Sequence, residues 1–314
     1  MSEPSWSPHE LEPVRGPMKP EDVDGWVASL GVSAVAGRRL AAAGLLTPDV
    51  LCGQSVHLQA HQPRSTADVT AAKVSPITGS VWVREQATIH RPMRTDEAFV
   101  ITGRSAQRFV RKGRRYGVTP SRSNAADGTL LVSNCTTGLL GYAADPALAD
   151  RHDGIDAAEQ IRPLVDRSRA FANPSLPALR VLDAGAVFES VPVEMSLELM
   201  LVRDGATPTN PIHSDPEQAR RAGLPAPIAG GSHVAAFVFE VLMAALGDEV
   251  LMHGAHIDLR WLLPTFAGDV LRPRVTVLDV RDGLVQFDLA VDATSGNDGP
   301  TPRLRGSVTI PVSA

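Results

Sequence analysis

The chain has 314 residues, 43% of them apolar and 21% charged, with a net charge of −5. It is long enough for about two units of ~150 residues and apolar enough to bury a core in each, which excludes wholesale disorder. The acidic balance argues against nucleic acid as a partner, because phosphate recognition needs a dominant basic face.

The first twenty residues carry five prolines and little periodicity and are expected to form a surface arm (1–20). They lack the basic-then-apolar order of a secretion signal, and no apolar run reaches the ~18 residues of a membrane span, so a cytoplasmic location and no membrane partner are expected. Cys52 and Cys135 are too few and too far apart for a disulfide framework or a zinc site. From Pro20 to Ala60 the pattern is helical, with Glu21 and Asp22 in a first turn ahead of Val23, Trp26, Val27 and Leu30.

Between Val81 and Leu140 the period shortens to two. Strands are expected around Val81–Val83, Ala98–Ile101, Arg108–Val110, Tyr116–Val118 and Leu130–Val132, with turns at Lys112-Gly113 and Ala126-Asp127-Gly128. Residues 143–180 read as a linker. Strands are expected again over Val187–Val202, then helical pieces at Pro216–Ala222 and Gly231–Leu246, then strands from His256 to Val312.

The halves echo one another. Gly44 and Pro48 recur as Gly223 and Pro227 at an offset of 179, Gly53 as Gly231 at 178, and Pro92 as Pro264 at 172. Ordered matches at a nearly constant offset point to a duplicated unit, residues 21–142 and 181–314, each a central helix followed by an antiparallel meander. The Ser232–Leu246 stretch is apolar nearly all round, so it must be enclosed by its own sheet. The expected fold is α+β, a double hotdog, in which each of two central helices is wrapped by a curled antiparallel sheet.

The chemistry concentrates in Asn210-Pro211-Ile212-His213-Ser214-Asp215-Pro216, followed by Pro227-Ile228-Ala229-Gly230-Gly231. Asp215 suits an N-cap, Pro216 the first helical position, and Gln218 the far corner of a capping box, which together fix a short helix just after His213. Gly230 and Gly231 open the buried helix, whose unpaired N–H groups and positive dipole end suit a carbonyl oxygen gaining charge. A histidine beside such a tip is placed for proton transfer.

These residues resemble the MaoC-like hydratase/dehydratase family, the (R)-specific enoyl-thioester hydratases. The likeness rests on Asn-Pro-Ile-His-Ser-Asp-Pro at 210–216, on Gly231 eighteen residues beyond His213, and on Pro264 with Gly268-Asp269. It covers about 190–312, and the first half resembles the degenerate partner of two-hotdog members. The resemblance implies a lyase that interconverts (R)-3-hydroxyacyl and 2-enoyl thioesters, carried on coenzyme A or acyl carrier protein. It requires no cofactor and is compatible with a homodimer or a hetero-oligomer with another hotdog subunit.

In the family pattern a catalytic aspartate stands five residues before the histidine, where this chain has Pro208. Asp204 is the nearest upstream acid, and His233 is a second candidate acid/base or an interior histidine. That departure leaves two other readings open: a pocket redirected to isomerisation, elimination or cyclisation of a specialised metabolite, and a non-catalytic subunit. Asn210 is expected to hold the loop and Glu240, inside the apolar helix, to reach solvent. No metal site is expected, since a spacing of three places His253 and His256 on opposite faces of a strand. Arg111, Arg114 and Arg115 lie in the densest basic cluster and are candidates for the carrier's phosphates.

Overall fold

A computed structural model describes residues 7–60, 62, 80–140, 142–154, 182–206, 210–281, 283–296 and 298–312. Pro208 and most of the expected linker lie outside the described residues. The first half runs β1 (His9–Glu10), β2 (Val14–Arg15), α1 (Pro20–Ala28), α2 (Ala36–Ala42), α3 (Pro48–Cys52), α4 (Gln54–Ala60), β3 (Ser80–Ile89), β4 (Phe99–Ser105), β5 (Gln107–Arg111), β6 (Arg114–Ala125), β7 (Leu130–Leu140) and β8 (Arg151–Gly154). The second runs β9 (Val187–Glu189), β10 (Val193–Glu194), α5 (Leu197–Ala206), α6 (Pro216–Arg221), α7 (Gly231–Leu246), β11 (Ala255–Trp261), β12 (Val270–Arg281), β13 (Leu284–Thr294) and β14 (Thr301–Pro311).

The long strands form one antiparallel sheet in the order β4-β6-β7-β3-β11-β14-β13-β12. Its order is palindromic about the β3–β11 seam, so the halves are related as β3 to β11, β4 to β12, β6 to β13 and β7 to β14. This is the double hotdog. Across the seam the Arg84 guanidinium makes a two-pronged contact with Asp258, at 3.0 and 2.6 Å. The arm is not loose: β1 and β2 both pair with β4 and extend its edge.

The turns follow their residues. Lys112 and Gly113 both adopt positive φ (51° and 70°), as a two-residue hairpin between β5 and β6 requires. Helix α7 is buried along nearly its whole length, with Phe237 and Phe239 almost fully covered, each contributing about 1.5–3 kcal/mol.

Three expectations change. Strand was expected over Val187–Val202, but α5 begins at Leu197. The run Leu-Glu-Leu-Met-Leu favours a helix, and Ser196 Oγ caps it by accepting the Leu199 N–H at 3.1 Å. Glu240 does not reach solvent. It is 5% exposed, and its carboxylate accepts the N–H groups of Val35, Ala36 and Gly37 at 3.0, 2.8 and 2.7 Å, capping α2 across the interface. Burial still pushes its pKa up, with those three bonds working the other way.

The register of the duplication also differs. Leu46 N–H bonds Met93 O at 2.9 Å as Ala229 N–H bonds Thr265 O at 2.8 Å, and the bridges Leu45–Arg94 and Ile228–Phe266 correspond likewise. The counterpart of Gly231 is therefore Pro48, the first residue of α3, and not Gly53. Gly53 sits in the break between α3 and α4. The halves align at the positive-φ turns Gly44 and Gly223, after which the second half spends four more residues before its helix.

Candidate active site

Both halves line one cavity of about 430 Å³ beside the start of α7. His213, Asp204, Asn210, Gly230, Gly231 and Arg114 all face it. His213 ends a one-turn 3-10 helix, Pro211–His213, which Asn210 O anchors by accepting the His213 N–H at 3.2 Å. The Asp215 cap forms as expected, its Oδ1 accepting Glu217 N–H at 2.7 Å and Gln218 N–H at 3.2 Å. The capping box is not reciprocal, because the Asp215 N–H instead donates to Pro211 O at 2.8 Å.

The imidazole is oriented by one bond. His213 Nδ1 lies 2.8 Å from Ile228 O, and a carbonyl can only accept, so Nδ1 carries the proton and Nε2 presents a lone pair. That nitrogen faces Gly230, where a Cβ would stand 3.9 Å from it. Burial lowers the His213 pKa below its ordinary value; the Ile228 bond and the Asp204 charge oppose this, and Arg203 adds to it. The ring is therefore neutral near pH 7, as a base must be.

The tip of α7 is shaped by its glycines. A Cβ on Gly231 would stand 3.0 Å from Trp82 and 3.2 Å from Trp261, so any larger residue would have to push the two indoles back from the helix start. Trp261 Nε1 donates to Gly231 O at 3.0 Å. The first intrahelical bond at this end comes from Val234 N–H to Gly230 O, leaving the earlier N–H groups aimed out of the helix.

Behind the tip lies a polar cluster that sequence reasoning missed. Arg203 Nη2 bonds Asp49 Oδ2 at 2.6 Å and Ser232 Oγ at 3.0 Å, with only 10% and 4% of the Arg203 and Asp49 side chains exposed. Asp49 and Ser232 are the second residues of α3 and α7, so Arg203 ties the two central helices together at their starts. The loop opposite is braced by Asp269, which accepts from the Phe266 N–H, Ser295 and Arg303.

Other candidates lie elsewhere. His233 is fully buried and does not line the cavity; its Nε2 bonds Ser29 O at 2.9 Å, and burial pushes its pKa down to about 3. It is an interior histidine, so the acid/base role is corrected. Arg111 and Arg115 point outward on the β5–β6 hairpin, leaving Arg114 as the cluster's cavity residue. Arg114 lies over the Tyr142 ring at 5.4 Å, and its buried Nε has no partner among the described residues. Among those residues there is also no group of three potential metal ligands, and no helix is long and apolar enough to cross a membrane.

Comparisons with known proteins agree with this architecture. A family profile described as "MaoC like domain" matches residues 201–296, which take in the end of α5, His213, the α7 tip and the Asp269 loop. A solved structure described as a MaoC-like dehydratase is 14% identical, with each chain 98% covered and a TM-score of 0.65. A Mycobacterium tuberculosis protein described as having a double hotdog fold is 13% identical, with 96% of each chain covered and a TM-score of 0.59. The peroxisomal multifunctional enzyme type 2 of Drosophila melanogaster is 15% identical, with 98% of this chain and 48% of that one covered and a TM-score of 0.60. No curated protein matches the sequence. At these identities the solved structures carry the fold alone, whereas the profile falls on the second half's share of the cavity, His213 and the α7 tip included. The chain has a double hotdog fold, and residues 201–296 of its second half match the MaoC like domain.

Proposed function

We propose that the cavity binds an acyl thioester and interconverts its (R)-3-hydroxyacyl and 2-enoyl forms, with coenzyme A or acyl carrier protein as the carrier. In the dehydration direction His213 Nε2 takes the proton from Cα, and the thioester oxygen, as it gains charge, accepts the Gly231 N–H. The Cα–Cβ double bond forms as the Cβ–O bond breaks. His213 returns its proton to the departing hydroxyl, which leaves as water. Asp204 takes the place of the acid missing at Pro208 by accepting a hydrogen bond from that hydroxyl. Arg114 is the cavity cation that meets the carrier's phosphate or carbonyl oxygens, Arg203 being paired with Asp49, and Asn210 holds the His213 turn.

The observation that carries this reading is the orientation of His213: its Nδ1–H is fixed on Ile228 O, and its free nitrogen faces Gly230, the N-cap of α7. Because both halves furnish cavity residues, one chain suffices to build the site. Pairing with a like or unlike hotdog subunit would then serve stability or carrier delivery. The test is turnover of crotonyl and (R)-3-hydroxybutyryl thioesters by wild type, His213→Ala and Asp204→Asn. Wild-type turnover with loss of about 100-fold or more in His213→Ala is expected. Equal rates in the two would remove His213 from the chemistry.

A further inference from the structure

The chain is poor in aromatic residues, with 4 Trp and 2 Tyr in 314 positions. Yet Trp26, Trp82, Trp261, Tyr116 and Tyr142 all line the one cavity. That is both tyrosines and three of the four tryptophans. The phenylalanines follow a different rule: Phe237, Phe239 and Phe287 are buried in the core, and among the described residues no phenylalanine lines the cavity. The sequence thus places its purely apolar rings where packing needs them and its polar-edged rings where a ligand would sit.

Each of these five rings is also held by a second group. Trp82 and Trp261 meet edge to face, with centroids 5.2 Å apart and planes at 72°, and Trp261 is pinned further by its bond to Gly231 O. Tyr116 is stacked on Phe109 at 4.7 Å with planes 8° apart. Arg114 lies 5.4 Å from the Tyr142 centroid and Arg203 lies 5.9 Å from that of Trp26. Four of the five are half-buried, so ring surface remains for a ligand. A flexible saturated chain gains most from conformable aliphatic walls. Rigid ring faces of fixed tilt instead favour a flat π-system, which gains stacking beyond what its buried area supplies.

We infer that the acyl group this cavity selects is planar and π-conjugated, an aryl or aryl-acrylic acyl unit, and that Trp82, Trp261 and Tyr116 determine that preference. The inference rests on the acyl-thioester reading for the carrier, but the ring preference itself is independent of it.

The test compares coenzyme A thioesters of cinnamate and of 3-cyclohexylacrylate by calorimetric titration. The two share the enoyl thioester and nearly the same bulk and differ in the flat ring. Cinnamoyl is expected to bind about three- to tenfold more tightly, the ratio that one or two ring contacts supply. Trp82→Leu and, separately, Tyr116→Leu should each reduce that ratio toward unity. Equal or tighter binding of the cyclohexyl compound, no binding of either, or an undiminished ratio in both folded variants would overturn the inference. Methyl cinnamate and methyl 3-cyclohexylacrylate form the separating arm. Should they bind as tightly as the thioesters, with the same preference, the thioester reading fails while the ring preference stands.

Discussion

Arg203 Nη2 lies 2.6 Å from Asp49 Oδ2, and this buried pair joins residues 154 positions apart, one from each half of the duplication. Both residues line the cavity. The pair also explains why Ser232 follows the glycines, since Ser232 Oγ shares the same guanidinium nitrogen.

Asp49→Asn should destabilise the protein strongly, because it leaves a buried guanidinium without its counter-charge. Removing one member of such a pair costs about 3–5 kcal/mol, whereas apolar replacement of both costs far less. Urea denaturation of Asp49→Asn and of the double variant Asp49→Leu/Arg203→Met checks this. A double variant as unstable as the single one would mean that the pair holds the fold by more than charge balance.

The two glycines at the α7 tip should respond differently. Gly231→Ala drives a methyl to within 3.0 Å of Trp82 and should lose about 1–3 kcal/mol through overpacking. Gly230→Ala meets His213 at an ordinary 3.9 Å and should lose far less stability. Thermal and urea unfolding of both variants measures the contrast, and equal losses would show that the indoles yield freely.

Glu85 gives the fold a pH dependence. It is fully buried in β3, accepts hydrogen bonds from Asn134 and Thr136, and burial raises its pKa to about 8. The unfolded chain gives up this proton near pH 4.3, so between there and pH 8 the folded state binds more protons and stability falls as pH rises. Glu85→Gln removes that slope. The variant should gain stability relative to wild type steadily from pH 5 to pH 8, and parallel stability curves would contradict the assignment.

His213 sets the opposite trend. Its folded pKa lies below 6.5, so it contributes stability above that value that is lost as pH falls towards the folded pKa. A reaction that uses it as a base should accelerate with pH and level off below pH 6.5. Asp204→Asn removes a charge that supports the imidazolium and should shift that limb to still lower pH. A limb that moves upward, or not at all, would separate Asp204 from His213.

What the sequence makes legible is local. The Asp215 cap, the Lys112-Gly113 turn and the all-apolar helix at Gly231–Leu246 are each encoded within a few residues, and each forms as its chemistry requires. The His213 turn belongs to the same class. What stays hidden depends on partners far along the chain. Glu240 finds its three N–H donors more than 200 residues away, Arg203 finds Asp49 in the other half, and Trp82 meets Trp261 only because β3 and β11 share the seam. Periodicity carries no information about such pairs. The Leu197–Val202 stretch was ambiguous for another reason: a short apolar run serves strand or helix alike, and the cap at Ser196 decides it.

The central claim is that His213 Nε2 moves the proton at Cα of a bound thioester. Mass spectrometry of deuterium uptake at C2 of an (R)-3-hydroxyacyl thioester in D₂O, for wild type and folded His213→Ala side by side, tests it most directly. The wild-type protein should catalyse exchange, and the variant should be slower by about 100-fold or more. Exchange at an undiminished rate in His213→Ala would contradict it.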